Sequence, residues 1–572
     1  MDNSGWNAWV FRDGRKLVQG KWLLDGLTDS LRLLPVSIEK NGDRSEPLLT
    51  ALLWSGELEC ALADAASPHA QESTRITDQL AAALIRGAPV QTSELLQLIE
   101  RFSLPGEVPI SVPESFAYYG LHPCRFAETV AHLKTAAQLR VVGIRSIGTT
   151  LSAVVLAALR EKGVNASRIT VRPVGHPYDR ELELTAEQKS WTAAAPGADF
   201  LVVDEGPGLS GSSFLCTAEA LERNGVPASH ITLLGTRKAA ANDLRAQDGV
   251  SRWKRFRNET VSNDPVLPEG AEAPLGGGGW RDRFLPADSR PGSWTQLEVL
   301  KFISADGRRF FRFEGYGRYG ADVARRAQIL AASGFCPRYH GRVLGFGCYD
   351  FVDGRPLGAR DLTLQMVERL SDYCALRTRE LRAEVERSSD LENMLRFNWK
   401  NEFGVDLGDE VRLEMVSPVV PDGRMLPQEW LLSNDGTICK VDAVTHGDDH
   451  FFPGPCDIAW DLAGAIIEWK IEGTLREAFL ERYRQQTDDD VRPRLRGYML
   501  AYSIFRCSYC KMAAKAMGRT PEESLLHRDY LHYREQCEII FAVGEDQSSR
   551  SVAAGDAPVL GSQTAIPLNS AM

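Results

Sequence analysis

What this chain lacks narrows it first. No stretch of its 572 residues reaches the roughly 18 to 20 consecutive apolar residues that a membrane span needs. The opening MDNSGWNAWVFRDGRK has no basic start leading into an apolar core, so no secretory leader is expected and the reading is cytoplasmic. Paired cysteine motifs are also missing. The 11 cysteines are scattered and odd in number, which excludes a disulfide framework and fits a reducing compartment. The single CxxC, Cys507 and Cys510, lies in AYSIFRCSYCKMAAKAM, whose apolar spacing is helical, and no second pair or paired histidines complete a zinc set. Positive charge is in deficit: 66 basic against 77 acidic residues leave a net charge of −11, a poor electrostatic match for a nucleic acid. With 43% hydrophobic and 25% charged residues the composition excludes a largely disordered or fibrous chain. The length implies two or three domains.

Residues 1–114 contain two helix-like stretches, ITDQLAAALI and TSELLQLIERF, and no assignable motif; they are read as an accessory or hood region. From about 139 apolar runs alternate with amphipathic helices (LRVVGI, LSAVVLAALREKG, ITVRP, DFLVVDE, SFLCTAEALERNG, HITLLG), the pattern of βαβ units and a parallel sheet. Leu151, Val154, Val155, Ala158 and Leu159 share one helical face, and Gly163 stands where a C-terminal cap is expected. Between 262 and 280, SNDPVLPEGAEAPLGGGGW reads as a linker. Strand-like WTQLEVLKFIS and GRRFFRFEG follow, then mainly helical sequence to 545 and a tail, 546–572, expected to be disordered.

The most informative stretch is DFLVVDEGPGLSGSSF, Asp199 to Phe214. An apolar strand ends in Asp204 and Glu205, and a loop with Gly206, Gly208, Ser210, Gly211, Ser212 and Ser213 opens a helix. Small residues let backbone N–H groups approach a phosphate, hydroxyls add donors, and the helix N-terminus adds partial positive charge. Carboxylates at the carboxyl end of the strand lie where α/β sheets bind ligands. The plainer alternative is a strand-to-helix turn with a serine cap.

At these residues the chain resembles the type I phosphoribosyltransferases, whose signature is an apolar strand, two acids, a spacer, then a hydroxyl residue, glycine and another hydroxyl residue. Here the spacer is one residue longer, with Ser210 five positions after Glu205. The resemblance covers about 115–245 and implies that Asp204, Glu205, Gly208, Ser210, Gly211, Ser212 and Ser213 bind the ribose and 5-phosphate of phosphoribosyl pyrophosphate (PRPP). A second glycine and hydroxyl loop, VVGIRSIGTT, stands where the family keeps its pyrophosphate loop, so Arg145, Ser146, Gly148, Thr149 and Thr150 are implied there. The intervening ITVRPVGHPYDRELEL matches the family's closing hairpin, with Arg172, His176 and Arg180 as its cationic or titratable candidates. Asp204, Glu205, Arg145 and Arg180 are the expected catalytic set, with magnesium bound mainly through PRPP and pyrophosphate.

In the second half, RRFFRFEG, ADVARRAQILAASGFCPRYHG and GFGCYDFVDGRPL resemble the small lobe, following helix and hinge of aminoglycoside and choline kinase-like phosphotransferases. Arg312 stands where those enzymes keep a lysine. GRMLPQEWLLSNDGTICKVDAV resembles their catalytic segment and the strand bearing a metal-binding acid, implying Asp442 as metal ligand and Arg312, Glu429 and Asp442 as nucleotide-binding residues, with ATP as a candidate second ligand. CDIAWDLAGA supplies Asp457 and Asp461 as structural acids. Arg424 replaces the family's catalytic acid and Glu429 its metal-binding asparagine, which removes the ordinary base for phosphoryl transfer. The cluster His446, Asp448, Asp449 and His450 is read as a solvated acidic loop in preference to a metal site, and Arg252 to Arg257 as an exposed basic and aromatic face covering the domain junction.

The expected fold is therefore α/β: a parallel-sheet phosphoribosyltransferase-like domain (115–261) joined to an α+β bilobal kinase-like domain (281–545). The expected function is transfer of ribose 5-phosphate from PRPP to an unidentified acceptor with release of pyrophosphate. The alternatives are an atypical small-molecule phosphotransferase with a PRPP-sensing domain, or a non-catalytic nucleotide-sensing regulator. Small-molecule partners are expected, membrane and nucleic acid are not, and an oligomer is compatible with all three readings.

Overall fold

The computed structural model describes residues 8–41, 45–176, 178–208, 210–237, 244, 246–384 and 389–555, with side chains at all of these except 36–41, 288, 389 and 543–555. The first region forms strand β1 (Arg15–Gln19), helices α1 (Gly20–Asn41), α2 (Ser45–Asp64), α3 (Ala70–Arg86) and α4 (Thr92–Ile99), and strand β2 (Glu107–Ser111), antiparallel to β1. A single π-helical turn, Ser115–Tyr119, follows. Then come α5 (Cys124–His132), β3 (Gln138–Ile144), α6 (Ile147–Glu161), β4 (Asn165–Val171), the hairpin β5 (Val174–His176) and β6 (Asp179–Glu181), α7 (Ala186–Ala193), β7 (Asp199–Val203), α8 (Ser212–Arg223), β8 (Ile231–Gly235), α9 (Gly249–Trp253) and β9 (Arg257–Thr260).

Five of these strands make one parallel sheet in the order β4-β3-β7-β8-β9. The strands read as unbroken apolar runs because both faces are covered. On one face α6 packs beneath α2 and α3; on the other, α8 carries Phe214, Leu215, Ala218 and Leu221 into a second core. The chain leaves β3 toward β4 on one side and returns to β7 on the other. The strand order therefore reverses between β3 and β7, and the crevice at their carboxyl ends is where such sheets bind ligands.

Residues 1–114 are thus more than an appendage. Arg168 on β4 is buried and clamps two of these helices, pairing with Glu59 of α2 at 2.8 Å and Asp78 of α3 at 2.5 Å.

The second half opens with an antiparallel sheet of β10 (Ala271–Pro274), β11 (Lys301–Ser304), β12 (Arg309–Phe313), β13 (Tyr339–Val343) and β14 (Phe346–Asp350), ordered β10-β11-β12-β14-β13. Helix α10 (Gly279–Phe284) lies between the first two strands, and α11 (Gly317–Ala332) crosses between β12 and β13. Beyond lie β15 (Gly354–Pro356), α12 (Leu364–Glu380), α13 (Ser389–Phe403), β16 (Pro418–Val419), β17 (Trp430–Ser433), β18 (Ile438–Lys440), β19 (Cys456–Asp457), and the helices α14 (Ala459–Trp469), α15 (Gly473–Thr487), α16 (Arg492–Ala516) and α17 (Pro521–Gly555).

Four expectations change. The segment 262–280 is not a free linker: Val261 and Ala271 are buried in the core that also holds Phe302, Phe313 and Phe346, and β10 lies inside it. WTQLEVLKFIS yields only β11, because Thr295–Leu297 is a 3-10 turn. The expected tail from 546 continues α17 to Gly555, and 556–572 lie outside the described residues. The basic run Arg252 to Arg257 does not cover the domain junction. Trp253 and Phe256 are buried against α8, while Arg252 and Arg255 pair with Glu219 and Glu222 of that helix. Cys507 and Cys510 are buried in α16 as free thiols. Among the described residues no helix is long and apolar enough to cross a membrane.

Candidate functional site

The two loops singled out in the α/β unit meet at the switch point. Arg145 to Thr150 leads from β3 into α6, and Asp204 to Ser213 leads from β7 into α8. Gly148 shows how closely they approach: a Cβ there would lie 2.7 Å from the Val203 carbonyl oxygen and 3.5 Å from Asp204 Oδ1, so only glycine fits. Ser146 sits at φ 101° and ψ −120°, a backbone region that residues with side chains rarely adopt. Such strain persists only where the surroundings over-determine it, and it concentrates at ligand clamps. At the first turn of α6, Thr149 Oγ1 is buried with no hydrogen-bond partner among the described residues.

The acid pair is half-buried. Burial pushes Asp204 up to about 8, against a hydrogen bond from the Glu205 N–H and with the Glu205 charge adding to the rise. Burial also raises Glu205, while Ser115 hydrogen-bonds it in the opposing direction. Glu114 rises to about 7 through burial and the nearby Glu205. Three carboxyls thus converge with their ionised forms disfavoured, and ribose hydroxyls or a magnesium ion would relieve them. Asp204 and Glu205 are oxygen donors of the kind a magnesium ion takes.

The remaining residues of this site are placed unequally. Arg145 does not offer a free charge: it pairs with Asp64 of α2 at 2.9 Å, and Arg172 binds the same carboxylate at 2.5 Å. Ser210 and Ser212 are buried and hydrogen-bonded to each other at 2.9 Å, so they brace the loop, whereas Ser213 and Gly208 reach its surface. Gly211 takes φ 71° at the start of α8. Thr150 is buried against Gly56 of α2. Arg180 and His176 lie on the β5–β6 hairpin, where Arg180 donates to the Gly175 carbonyl at 2.8 Å and His176 is exposed. Asp64 and Glu114 had no local signal in the sequence, because each reaches the site from a separate element.

In the second half a cavity of about 380 Å³ lies between the sheet and the helices. Its floor is the segment Asp422 to Glu429, positioned by Asp461, whose carboxylate accepts from the Asp422 and Gly423 N–H groups at 2.7 and 3.0 Å. Asp457 caps the adjoining backbone through Val416 and Ser417, both at 2.7 Å. Both acids are structural, as their motif implied.

The expected metal ligand does not behave as one. Asp442 is ion-paired with Arg312 and, at 3.2 Å, with Lys301. Burial works against its ionisation, yet His446, Lys301 and Arg312 hold its carboxyl well below the ordinary range. His446 is itself driven down by burial and Arg424, so Lys301 and Arg312 are the lasting cations. Arg312, expected at a nucleotide phosphate, pairs with Asp442 and donates to Thr445 Oγ1 at 3.3 Å, while its buried Nε has no hydrogen-bond partner among the described residues. Asp422, Glu429 and His446 bring ligand atoms within 4.8 Å of one another, but the Lys440 ammonium lies 2.6 Å from Glu429 and 3.2 Å from Asp422. The buried lysine already neutralises both carboxylates, so these residues do not fit a metal. Nor is the histidine and aspartate cluster solvated: His446 and His450 are buried, and burial lifts Asp449 to about 7.

One short element touches both sites. Ser115 hydrogen-bonds Glu205, while Tyr118 and Tyr119, on the same π-helical turn, line the cavity, and Tyr119 meets His450 Nε2 at 3.1 Å.

No protein-family model matches the chain, and no curated protein does. Among solved structures it is similar to a choline/ethanolamine kinase family protein from Mesorhizobium loti (15% identity, 42% of this chain and 85% of that one, TM-score 0.29). It is also similar to an aminoglycoside phosphotransferase from Alicyclobacillus acidocaldarius (11%, 50% and 98%, TM-score 0.32). A third is a spectinomycin phosphotransferase in complex with ADP and spectinomycin (15%, 43% and 88%, TM-score 0.30). These comparisons lend no support of their own to the phosphoribosyltransferase resemblance, which rests on the loops and the sheet.

Proposed function

We propose that the α/β unit binds phosphoribosyl pyrophosphate and transfers its ribose 5-phosphate, while the second half holds and presents a small-molecule acceptor. The observation that carries this reading is the meeting of the two glycine and hydroxyl loops at the strand-order reversal, with Asp204 against Gly148. The α6 N-terminus and its strained Ser146 loop would receive the pyrophosphate. The α8 N-terminus would receive the 5-phosphate. Asp204 and Glu205 would hold the ribose hydroxyls and favour positive charge developing at the anomeric carbon. Asp204 and Glu205 would hold a magnesium ion, which would supply charge stabilisation for the departing pyrophosphate.

The test is calorimetry with PRPP and magnesium on the full chain. Asp204→Asn combined with Glu205→Gln should abolish binding, and unchanged affinity in the double variant sinks the assignment.

A second reading, a small-molecule phosphotransferase whose α/β unit only senses PRPP, is favoured by the order of the second sheet and by the cleft beneath it. Against it stand Arg424 at the base position and Lys440 between the would-be metal ligands. Assaying pyrophosphate release and ATP consumption across one acceptor panel separates the two. Release without ATP supports transfer of ribose phosphate; consumption of ATP alone supports the phosphotransferase; binding of both without turnover leaves a regulator.

A further inference from the structure

The cations around the cavity floor are nearly all spoken for. Lys301 pairs with Glu298 and Asp442, both at 3.2 Å, Arg312 with Asp442, and Lys440 with Glu429 and Asp422. Arg506 pairs with Glu468 at 3.9 Å and lies over the rings of Tyr509 and Tyr533, although its Nε has no hydrogen-bond partner among the described residues. Arg424 is different. Its backbone is fixed by the Asp422 carboxylate at 3.2 Å, but among the described residues its guanidinium has no hydrogen-bond or ion-pair partner. The group forms part of the cavity wall, 5.9 Å from the ring centre of Tyr509. Asp449 faces it across the cavity without closing a pair. A guanidinium held out of bulk water with its fork unused is matched by a carboxylate or phosphate oxyanion, which it would bind bidentately.

The rest of the cavity states what the oxyanion is attached to. Trp280, Trp294, Phe310, Phe351 and Tyr509 supply its walls, and flat aromatic surfaces favour a planar ring between them. The volume of about 380 Å³ falls at the small end of ligand pockets. Lys440 already neutralises Glu429 and Asp422, and the other wall cations, Lys301 and Arg506, are paired with acids, so among the described residues Arg424 is the wall cation left to balance a singly anionic group.

We infer that this cavity is a metal-independent binding site for a planar aromatic small molecule carrying one oxyanion group, a carboxylate or a phosphate monoester, gripped by Arg424. The claim concerns binding and stands apart from the proposed transfer chemistry of the α/β unit. If that transfer holds, the molecule is its acceptor.

The experiment is calorimetry on the full chain in EDTA, without PRPP, using 2-naphthoate and phenyl phosphate as probes and 2-naphthalenemethanol as the neutral control. At least one anion should bind about tenfold or more tightly than the alcohol, and which one does so distinguishes carboxylate from phosphate. Arg424→Gln should lose that preference, Arg424→Lys should keep part of it, and adding magnesium should leave it unchanged. Quenching of Trp280 and Trp294 fluorescence in the wild-type protein by the anion but not the alcohol reads the same site without a substitution. Equal binding of anion and alcohol, absence of binding by both anions, an Arg424→Gln variant that binds as wild type, or a requirement for magnesium overturns the inference.

Discussion

At the scale of single residues, the acid pair and the buried lysine make opposite predictions about charge. Asp204, lifted to about 8, keeps a proton in the folded state that the unfolded chain has lost. Between about pH 4 and about pH 8 the native state therefore binds more protons than the unfolded one, and stability falls as pH rises, by at most ~1.4 kcal/mol per unit. Asp204→Asn removes this dependence, so its Tm advantage over wild type should grow steadily from about pH 5 to about pH 8. A constant difference across that range contradicts the assignment. Lys440→Met should instead be costly, about 3–5 kcal/mol in urea unfolding, because it leaves Glu429 buried without its cation, while Asp422 keeps Arg377. Residues of the two kinds were unequally legible in the sequence. Asp204 and Glu205 announced themselves beside a run of glycine and serine, whereas Lys440 lay inside an ordinary strand and took its meaning only from Glu429, folded back eleven positions away.

At the scale of elements, α2 and α3 belong to the parallel sheet as much as α6 does. Expressing 115–261 alone would expose the buried face of α6 and leave Arg168 without Glu59 and Asp78. That fragment should aggregate or show no cooperative melt, whereas residues 1–261 should remain better ordered; a monomeric, cooperatively folding 115–261 fragment refutes the placement. In the full chain, Glu59→Ala should cost about 3 kcal/mol, because the buried Arg168 guanidinium keeps only Asp78 as its counter-charge. The βαβ succession was readable because strands covered on both faces are continuous apolar runs. Helix α2 was obscured for a related reason: Ala51 to Leu53 and Ser55 to Leu62 are all buried, so it shows no amphipathic period. Strand β10 escaped because Ala-Glu-Ala-Pro at a sheet edge carries almost no β signal.

At the scale of the whole molecule, one apolar core runs from α6 through Val261 and Ala271 into Phe302, Phe311 and Phe346 of the second sheet. The two halves should consequently melt together, giving one calorimetric transition, and two resolved transitions would falsify that continuity. The N-terminal segment adds a second tie. Trp9 exchanges hydrogen bonds with the Asn398 side chain at 2.7 and 2.9 Å, Phe11 stacks on Phe451 at 4.9 Å, and Arg12 N–H donates to the His450 carbonyl at 2.8 Å. This segment therefore docks on residues made some 440 positions later, roughly 20 to 90 seconds afterwards at ordinary rates of synthesis. During that interval Trp9 and Phe11 have only part of their native surface, from Trp294, Phe397 and Asn398, and still lack Phe451 and Phe452. The order of manufacture leaves Trp9 and Phe11 an apolar patch in waiting, fully covered only when the segment around His450 is in place.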